Sequence, residues 1–291
     1  MAKVAWIGMG NMGVPMSTNL LAAGHNVTVY SRTAATCAPV VAEGAALAAT
    51  AAEAAKDAEF VFTMITDDNA LKNVILGEGG VASVLSAGQI VIDMSTVSMD
   101  ASKACNEAIV AKGAEFLRAP VSGSTMLAKA GGLTVLCSGP QTAYDKTLPL
   151  FEKLSKIQFY LGDGDGARAM KLGLNMMIAT SLQMFAESVA FCEKAGIEWN
   201  TILDVVDGSV LASPLLKYKI PPLREKKYDP AFATNLMAKD LDLALAVGKQ
   251  LGIFLPATAL TKQMLEANVA RGEGNKDFSA LISLVENMSG M

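Results

Sequence analysis

At 291 residues the chain is long enough for one large or two ordinary domains with sizeable cores. Its formal net charge of −4 and pI near 5.2 argue against a nucleic-acid-binding surface. With 52% hydrophobic residues and a mean hydropathy of +0.35, part of its surface is expected to be covered by a second copy of the chain.

The first predicted element is a short apolar strand at residues 4–7, VAWI. It runs into Gly8-Met9-Gly10-Asn11-Met12-Gly13 and then into a helical pattern from Val14 onward. Strand, glycine turn, helix is the context in which G-x-G-x-x-G marks a dinucleotide site. The first glycine permits the turn, the second lets backbone approach a pyrophosphate, and the third lets helix and strand pack closely. His25, the one histidine, follows that helix at the amino end of the next strand and reads as an exposed loop residue.

The second strand, residues 26–30, ends at Ser31-Arg32-Thr33. NAD-specific sites place an acid there to hold the ribose hydroxyls. This chain has none. Arg32, flanked by the Ser31 and Thr33 hydroxyls, suits a 2′-phosphate, so NADP is expected, with NAD the alternative. The alanine-rich residues 42–58 read as a surface helix and its approach. Strands at 60–65 and 90–94 follow, and their carboxyl ends carry Met64-Ile65 and Ser95-Thr96, where the nicotinamide half of a cofactor is expected. Thr96 is the better contact; Met64 suits a core equally well.

Strands at 116–119, 133–138 and 157–160 complete a βαβ rhythm that specifies a Rossmann-type doubly wound sheet. Directly after the first of these comes Pro120-Val121-Ser122-Gly123-Ser124. Its hydroxyls and backbone N–H groups suit a carboxylate, although the same residues also make an ordinary polar turn. At residues 161–166, LGDGDG, the rhythm stops. A long helical segment at 167–195 follows, and everything beyond is helical, broken at Ser213-Pro214, Pro221-Pro222, Asp229-Pro230 and Pro256. The expected organisation is α/β, with a dinucleotide-binding domain at 1–164 and an all-α domain at 165–291 for substrate and oligomerisation. The most apolar stretch, residues 172–190, carries Asn175, Ser181, Gln183 and Glu187, and reads as a buried helix rather than a membrane span.

Lys171 and Asn175 stand four apart and share one face of that long helix, whose other residues nearby are nearly all apolar. Just past a domain boundary, an ammonium and an amide are expected to line a cleft, and burial makes such a lysine's proton more available. Lys171 can then protonate a carbonyl oxygen as hydride arrives, or deprotonate an alcohol in reverse, with Asn175 holding it in place. An interhelix salt bridge, or a lysine reaching out to solvent, explains the same pattern without catalysis. Cys37, Cys105, Cys137 and Cys192 are widely spaced with no metal-ligand pattern, which fits a reducing, cytoplasmic setting and no metal site. No basic segment followed by a long apolar run precedes the first strand, so no secretion signal is expected.

Taken together, these segments resemble the β-hydroxyacid dehydrogenases, which include 3-hydroxyisobutyrate dehydrogenase, tartronate semialdehyde reductase and glyoxylate/succinic semialdehyde reductase. Four features carry the resemblance, in the family's order along the whole chain. They are the glycine turn continuing through Met16, Asn19 and Leu20; Ala119-Pro120-Val121-Ser122-Gly123; residues 164–175 with Lys171; and Lys239-Asp240-Leu241. The resemblance implies that Lys171 is the general acid–base with Asn175 beside it, and that Ser122 and Gly123, with Ser124 next to them, bind the substrate carboxylate. Thr96 and Lys239 would contact the cofactor, and Asp240 would lie near the substrate. Two departures bear on the substrate: Arg118 stands where the family usually has Asp or Glu, and Ser124 where a second glycine is usual. Facing the cleft, Arg118 would favour a second carboxylate, as in succinic semialdehyde; otherwise it faces solvent.

The function expected is hydride transfer between NADP and a small carboxylate-bearing semialdehyde or 2-oxo acid. The partners expected are that small molecule and further copies of the chain, as a homodimer or homotetramer built on the 167–195 helix, with no nucleic acid and no membrane. Two alternatives remain: imine reduction on the same plan, which the lysine argues against, and a non-catalytic assembly module.

Overall fold

The computed structural model describes residues 1–291 and divides into two compact units, Met1–Lys171 and Leu172–Met291. No helix is long and apolar enough to cross a membrane. The first unit is built on six parallel strands. In chain order its elements are β1 (Lys3–Ile7), α1 (Gly13–Ala22), β2 (Asn26–Tyr30), α2 (Ala38–Ala42), β3 (Ala46–Leu47), α3 (Ala51–Ala55), β4 (Phe60–Thr63), α4 (Asp68–Leu76), β5 (Ile90–Asp93), α5 (Met99–Val110) and β6 (Glu115–Arg118). The sheet order is β3-β2-β1-β4-β5-β6. The direction of winding therefore reverses between β1 and β4, which is where ligands bind in open α/β sheets.

Side chains alternate across β1. Val4 and Trp6 enter one core with Phe62, Ile92 and the helix residues Met16 and Leu20, while Ala5 and Ile7 enter the other with Val61, Val91 and Leu71. Trp6 stacks on Phe62 with centroids 5.1 Å apart. The alanines expected on a surface helix turn out to be interior. Ala51, Ala52, Ala54 and Ala55 of α3 are all buried, because a side chain of one carbon lets this short helix lie close against the sheet. His25 is half-buried rather than exposed. It accepts a hydrogen bond from the Ala2 amide at 3.3 Å, and burial lowers its pKa.

Beyond β6 the chain leaves the parallel sheet at Ala119-Pro120, where proline has no N–H to give to a ladder. A second, three-stranded sheet follows: β7 (Val121–Ser122), then α6 (Thr125–Lys129), β8 (Leu133–Cys137), α7 (Gln141–Leu154) and β9 (Ser155–Tyr160). β8 pairs antiparallel with β7 and parallel with β9. The strands expected at 133–138 and 157–160 exist but form this separate sheet. It joins β6 only through the Arg118–Ser138 bridge.

The glycine punctuation at residues 161–166 leads into α8 (Gly166–Lys194), and the boundary between the two units falls along that helix, after Lys171. The second unit is helical: the rest of α8, then α9 (Trp199–Gly208), α10 (Pro214–Arg224), α11 (Thr234–Leu251), α12 (Pro256–Asn268) and α13 (Leu281–Met288). Its core gathers Leu182, Phe185 and Val189 of α8 with Leu203, Leu223, Leu241, Leu265 and Leu281. Within it Lys219 and Asp277 form a buried ion pair at 2.6 Å.

Candidate active site

The glycine turn has the form that its three positions require. Gly8 has φ +102°, a region that disfavours any Cβ, and a Cβ there would collide with the Met64 carbonyl. A Cβ on Gly13 would collide with the Gly8 carbonyl, so helix and strand touch through glycine. Gly10 differs, because a Cβ there would meet nothing within 4 Å. The open position is therefore the middle one, where backbone has to approach a pyrophosphate, and it lies at the N-terminus of α1. No side chain caps that helix and no acid occupies its first turn. A dinucleotide fits here on both counts.

Around the turn the strand ends interlock. The Gly8 amide donates to the Tyr30 carbonyl at 2.9 Å and the Met64 amide to Ile7 at 2.9 Å. The Ile65 amide donates to Ser95 Oγ at 2.8 Å, next to half-buried Thr96. Met9 is buried in the core, so only its backbone can serve a ligand. At the end of β2, Arg32 lines an open cavity of about 710 Å³ with Asp67, Asn69, Ala70, Lys72 and Asn73. Lys72 was not singled out by the sequence. Its signal is that α4 starts at the carboxyl end of β4, so its first turns face the same ligand region as Arg32.

In the second sheet Gly123 has φ +138° and is exposed, with half-buried Ser122 and Ser124 on either side. Ser124 has a structural task as well: its Oγ accepts from the Leu127 amide at 3.4 Å and caps α6. Arg118 neither faces solvent nor waits for a ligand. It is only 8% exposed, its Nε lies 2.5 Å from Asp165 Oδ1 and donates to Ser102 Oγ at 3.2 Å, and its guanidinium stacks over Phe116. Arg118 is thus engaged within the fold and, contrary to expectation, offers no receptor for a second carboxylate.

Lys171 is half-buried on α8. One turn further on, in the second unit, Asn175 is 2% exposed and its amide donates to Asp240 Oδ2 at 2.6 Å. The other oxygen of that carboxylate lies 3.0 Å from Lys239 Nζ. Asp240, expected beside the substrate, is thus buried, with one oxygen hydrogen-bonded to Asn175 and the other held beside Lys239 by charge.

Family models match both parts of the chain. Residues 3–162 match the NAD binding domain of 6-phosphogluconate dehydrogenase, and residues 164–285 the NAD-binding domain of NADP-dependent 3-hydroxyisobutyrate dehydrogenase. Glyoxylate/succinic semialdehyde reductase 1 of Arabidopsis thaliana is 36% identical over 98% of this chain and 98% of its own length. The chain belongs to the β-hydroxyacid dehydrogenase family. A solved 3-hydroxyisobutyrate dehydrogenase of Mycobacterium tuberculosis, with L-serine, superposes with a TM-score of 0.87 at 27% identity, covering 98% of this chain and 99% of that one. An imine reductase from a Pseudomonas species shares the fold at greater distance, with a TM-score of 0.64 and 20% identity over 97% of this chain and 98% of that one. As a β-hydroxyacid dehydrogenase, the protein is an NAD(P)-dependent oxidoreductase.

Proposed function

We propose that this β-hydroxyacid dehydrogenase reduces a small semialdehyde or 2-oxo acid to its hydroxy acid, preferring NADP, with Lys171 as general acid–base. The observation that carries the reading is the environment of Lys171. It precedes by one helical turn an asparagine whose amide is fixed by a buried carboxylate at 2.6 Å, an expensive arrangement that a merely structural helix does not need.

When bound, the nicotinamide supplies or accepts the hydride at the carbonyl carbon. Lys171 gives the developing alkoxide its proton and takes one back in the reverse direction. Asn175, oriented by Asp240, holds the reacting oxygen or the lysine in line, so Asp240 is a positioning group rather than a substrate ligand. Ser122 and the exposed Gly123 amide anchor the substrate carboxylate, with Ser124 narrowing that end. Gly8, Gly10, Asn11, Met12 and Gly13 hold the pyrophosphate, and Ser31, Arg32 and Thr33 the adenosine phosphate. Met64, Ile65, Thr96 and Lys239 serve the rest of the cofactor. In this scheme residues 1–164 bind the dinucleotide and 165–291 complete the substrate end. All four cysteines are free, which suits the cytoplasm.

The test is initial-rate oxidation of NADPH and, separately, NADH over succinic semialdehyde, glyoxylate, methylmalonate semialdehyde and tartronate semialdehyde. Turnover of one of them with NADPH, falling by about 10²–10⁴-fold in Lys171→Ala while NADPH still binds, is the expected result. Full activity of Lys171→Ala would refute the acid–base assignment, and preference for NADH would refute the reading of Arg32.

A further inference from the structure

Beneath the first turn of α8 runs a chain of four charges of alternating sign, all in the first unit. Asp93, the last residue of β5, is fully buried and lies 2.5 Å from Arg168 Nη2. Arg168, itself 2% exposed, approaches Asp165 with its Nε at 4.0 Å. Asp165 is gripped in turn by Arg118, the last residue of β6. Asp93 and both arginines have further partners, whereas Asp165 Oδ1 makes no hydrogen bond and meets the two arginines through charge alone. Asp93 accepts from Thr63 Oγ1 at 2.8 Å and from the Ser95 amide at 3.1 Å, while Arg168 Nη1 donates to the Ser95 carbonyl at 3.3 Å. The Ala167 amide donates to Ser138 Oγ at 3.3 Å.

Stability alone does not account for such a chain, since apolar residues of the same volume commonly do as well in buried positions. What ion pairs of fixed geometry add is register. Arg168 precedes Lys171 by three residues, so both project from one side of α8. The strand end that Arg168 holds, Asp93 to Ser95, runs directly into Thr96. The network thus sets the height and rotation of the turn that bears the lysine against the strand ends that face the ligand. Displacement of a reacting group by about 1 Å is enough to cost on the order of 10²-fold in rate.

We propose that the Asp93–Arg168–Asp165–Arg118 network positions Lys171, with Asp165 and Arg118 as positioning residues that act as a pair of opposite charges. The inference rests on the reading of Lys171 as the acid–base. It also accounts for arginine at position 118: the acid usual there in the family would face Asp165 with like charge.

The experiment uses the full chain carrying Asp165→Asn, Arg118→Gln, the reversed pair Arg118→Asp/Asp165→Arg, and Lys171→Ala as reference. Each is measured for kcat, KM, NADPH binding by fluorescence, and amide hydrogen exchange over residues 163–172. Each single variant is expected to lose about tenfold or more in kcat, to bind NADPH within about twofold of the parent, and to exchange faster over that segment. The reversed pair is expected to recover most of both losses. Single variants with parental kcat would overturn the proposal, as would a reversed pair no better than the worse single. Should a single variant not fold, Asp165→Glu and Arg118→Lys carry the same comparison. Loss of activity in Lys171→Ala with none in Asp165→Asn overturns the positioning role alone; full activity in Lys171→Ala overturns the reading beneath it.

Discussion

Arg32 and Lys72 line one cavity from two different elements, the end of β2 and the middle of α4. Two cations there hold a phosphate better than one, and Asp67 on the same wall is partly spent as the cap of α4, accepting from the Ala70 amide at 2.9 Å. Arg32→Ala is therefore expected to weaken binding of 2′,5′-ADP by about tenfold or more, and Lys72→Ala by a smaller factor, with 5′-AMP unaffected by either. Titration calorimetry of the two nucleotides reads this directly; equal losses for both would assign the cations to a different role. Thiol reactivity is also fixed residue by residue. Burial pushes Cys105 and Cys137 up to about 12, so at pH 8 almost none of either is thiolate, and both are shut inside the core. Half-buried Cys192 is expected to react first with a chromogenic disulfide. Early labelling of Cys105 or Cys137 on the native protein would contradict the packing.

Among the elements, those legible in the sequence are the ones whose pattern is local. The β1–glycine–α1 turn is specified by three glycines with distinct steric tasks, and β2, β4, β5 and α8 by apolar period. Asn175 was legible as a polar residue on an apolar helix, whereas its partner Asp240, far along the chain, was reached only through the family resemblance. The Arg118 pairing was not legible at all, because nothing local says that Asp165 lies opposite β6. The same holds for β3 and β7, two residues each, which exist only through their neighbours. The tether between α10 and the residues before α13 is another long-range pairing, and it carries a stability prediction. Asp277 holds Lys219 at 2.6 Å and accepts the amides of Ala231, Phe232 and Ser279, while burial pulls the lysine's pKa down. Asp277→Asn leaves a buried ammonium uncompensated and is expected to cost about 3–5 kcal/mol, whereas Lys219→Met costs less. Urea unfolding followed by Trp199, which sits in the same unit, measures both; a milder effect of Asp277→Asn than of Lys219→Met would reverse the argument.

On the scale of the whole molecule, the outer face of α8 remains to be explained. Met170, Met177, Met184 and Phe191 recur every seven residues and are all exposed, Met177 at 66% and Phe191 at 75%. Residues seven apart on a helix drift by only about 20°, so the four form one apolar seam along the element. A continuous stripe of this length on a single chain is an aggregation hazard unless another chain covers it, and a second copy offers the matching stripe through a two-fold axis. The expected species in solution is accordingly a dimer, or a tetramer made from two such dimers, with a light-scattering mass of two or four times 30.3 kDa. Met177→Glu combined with Met184→Glu places like charges in the centre of the seam, where they are desolvated in the assembly but cost nothing in a free chain. That double variant is expected to run at the mass of one chain with its helical circular dichroism intact. An unchanged oligomer mass in the double variant would move the interface elsewhere, for instance to the exposed Ile253 and Phe254 beyond α11.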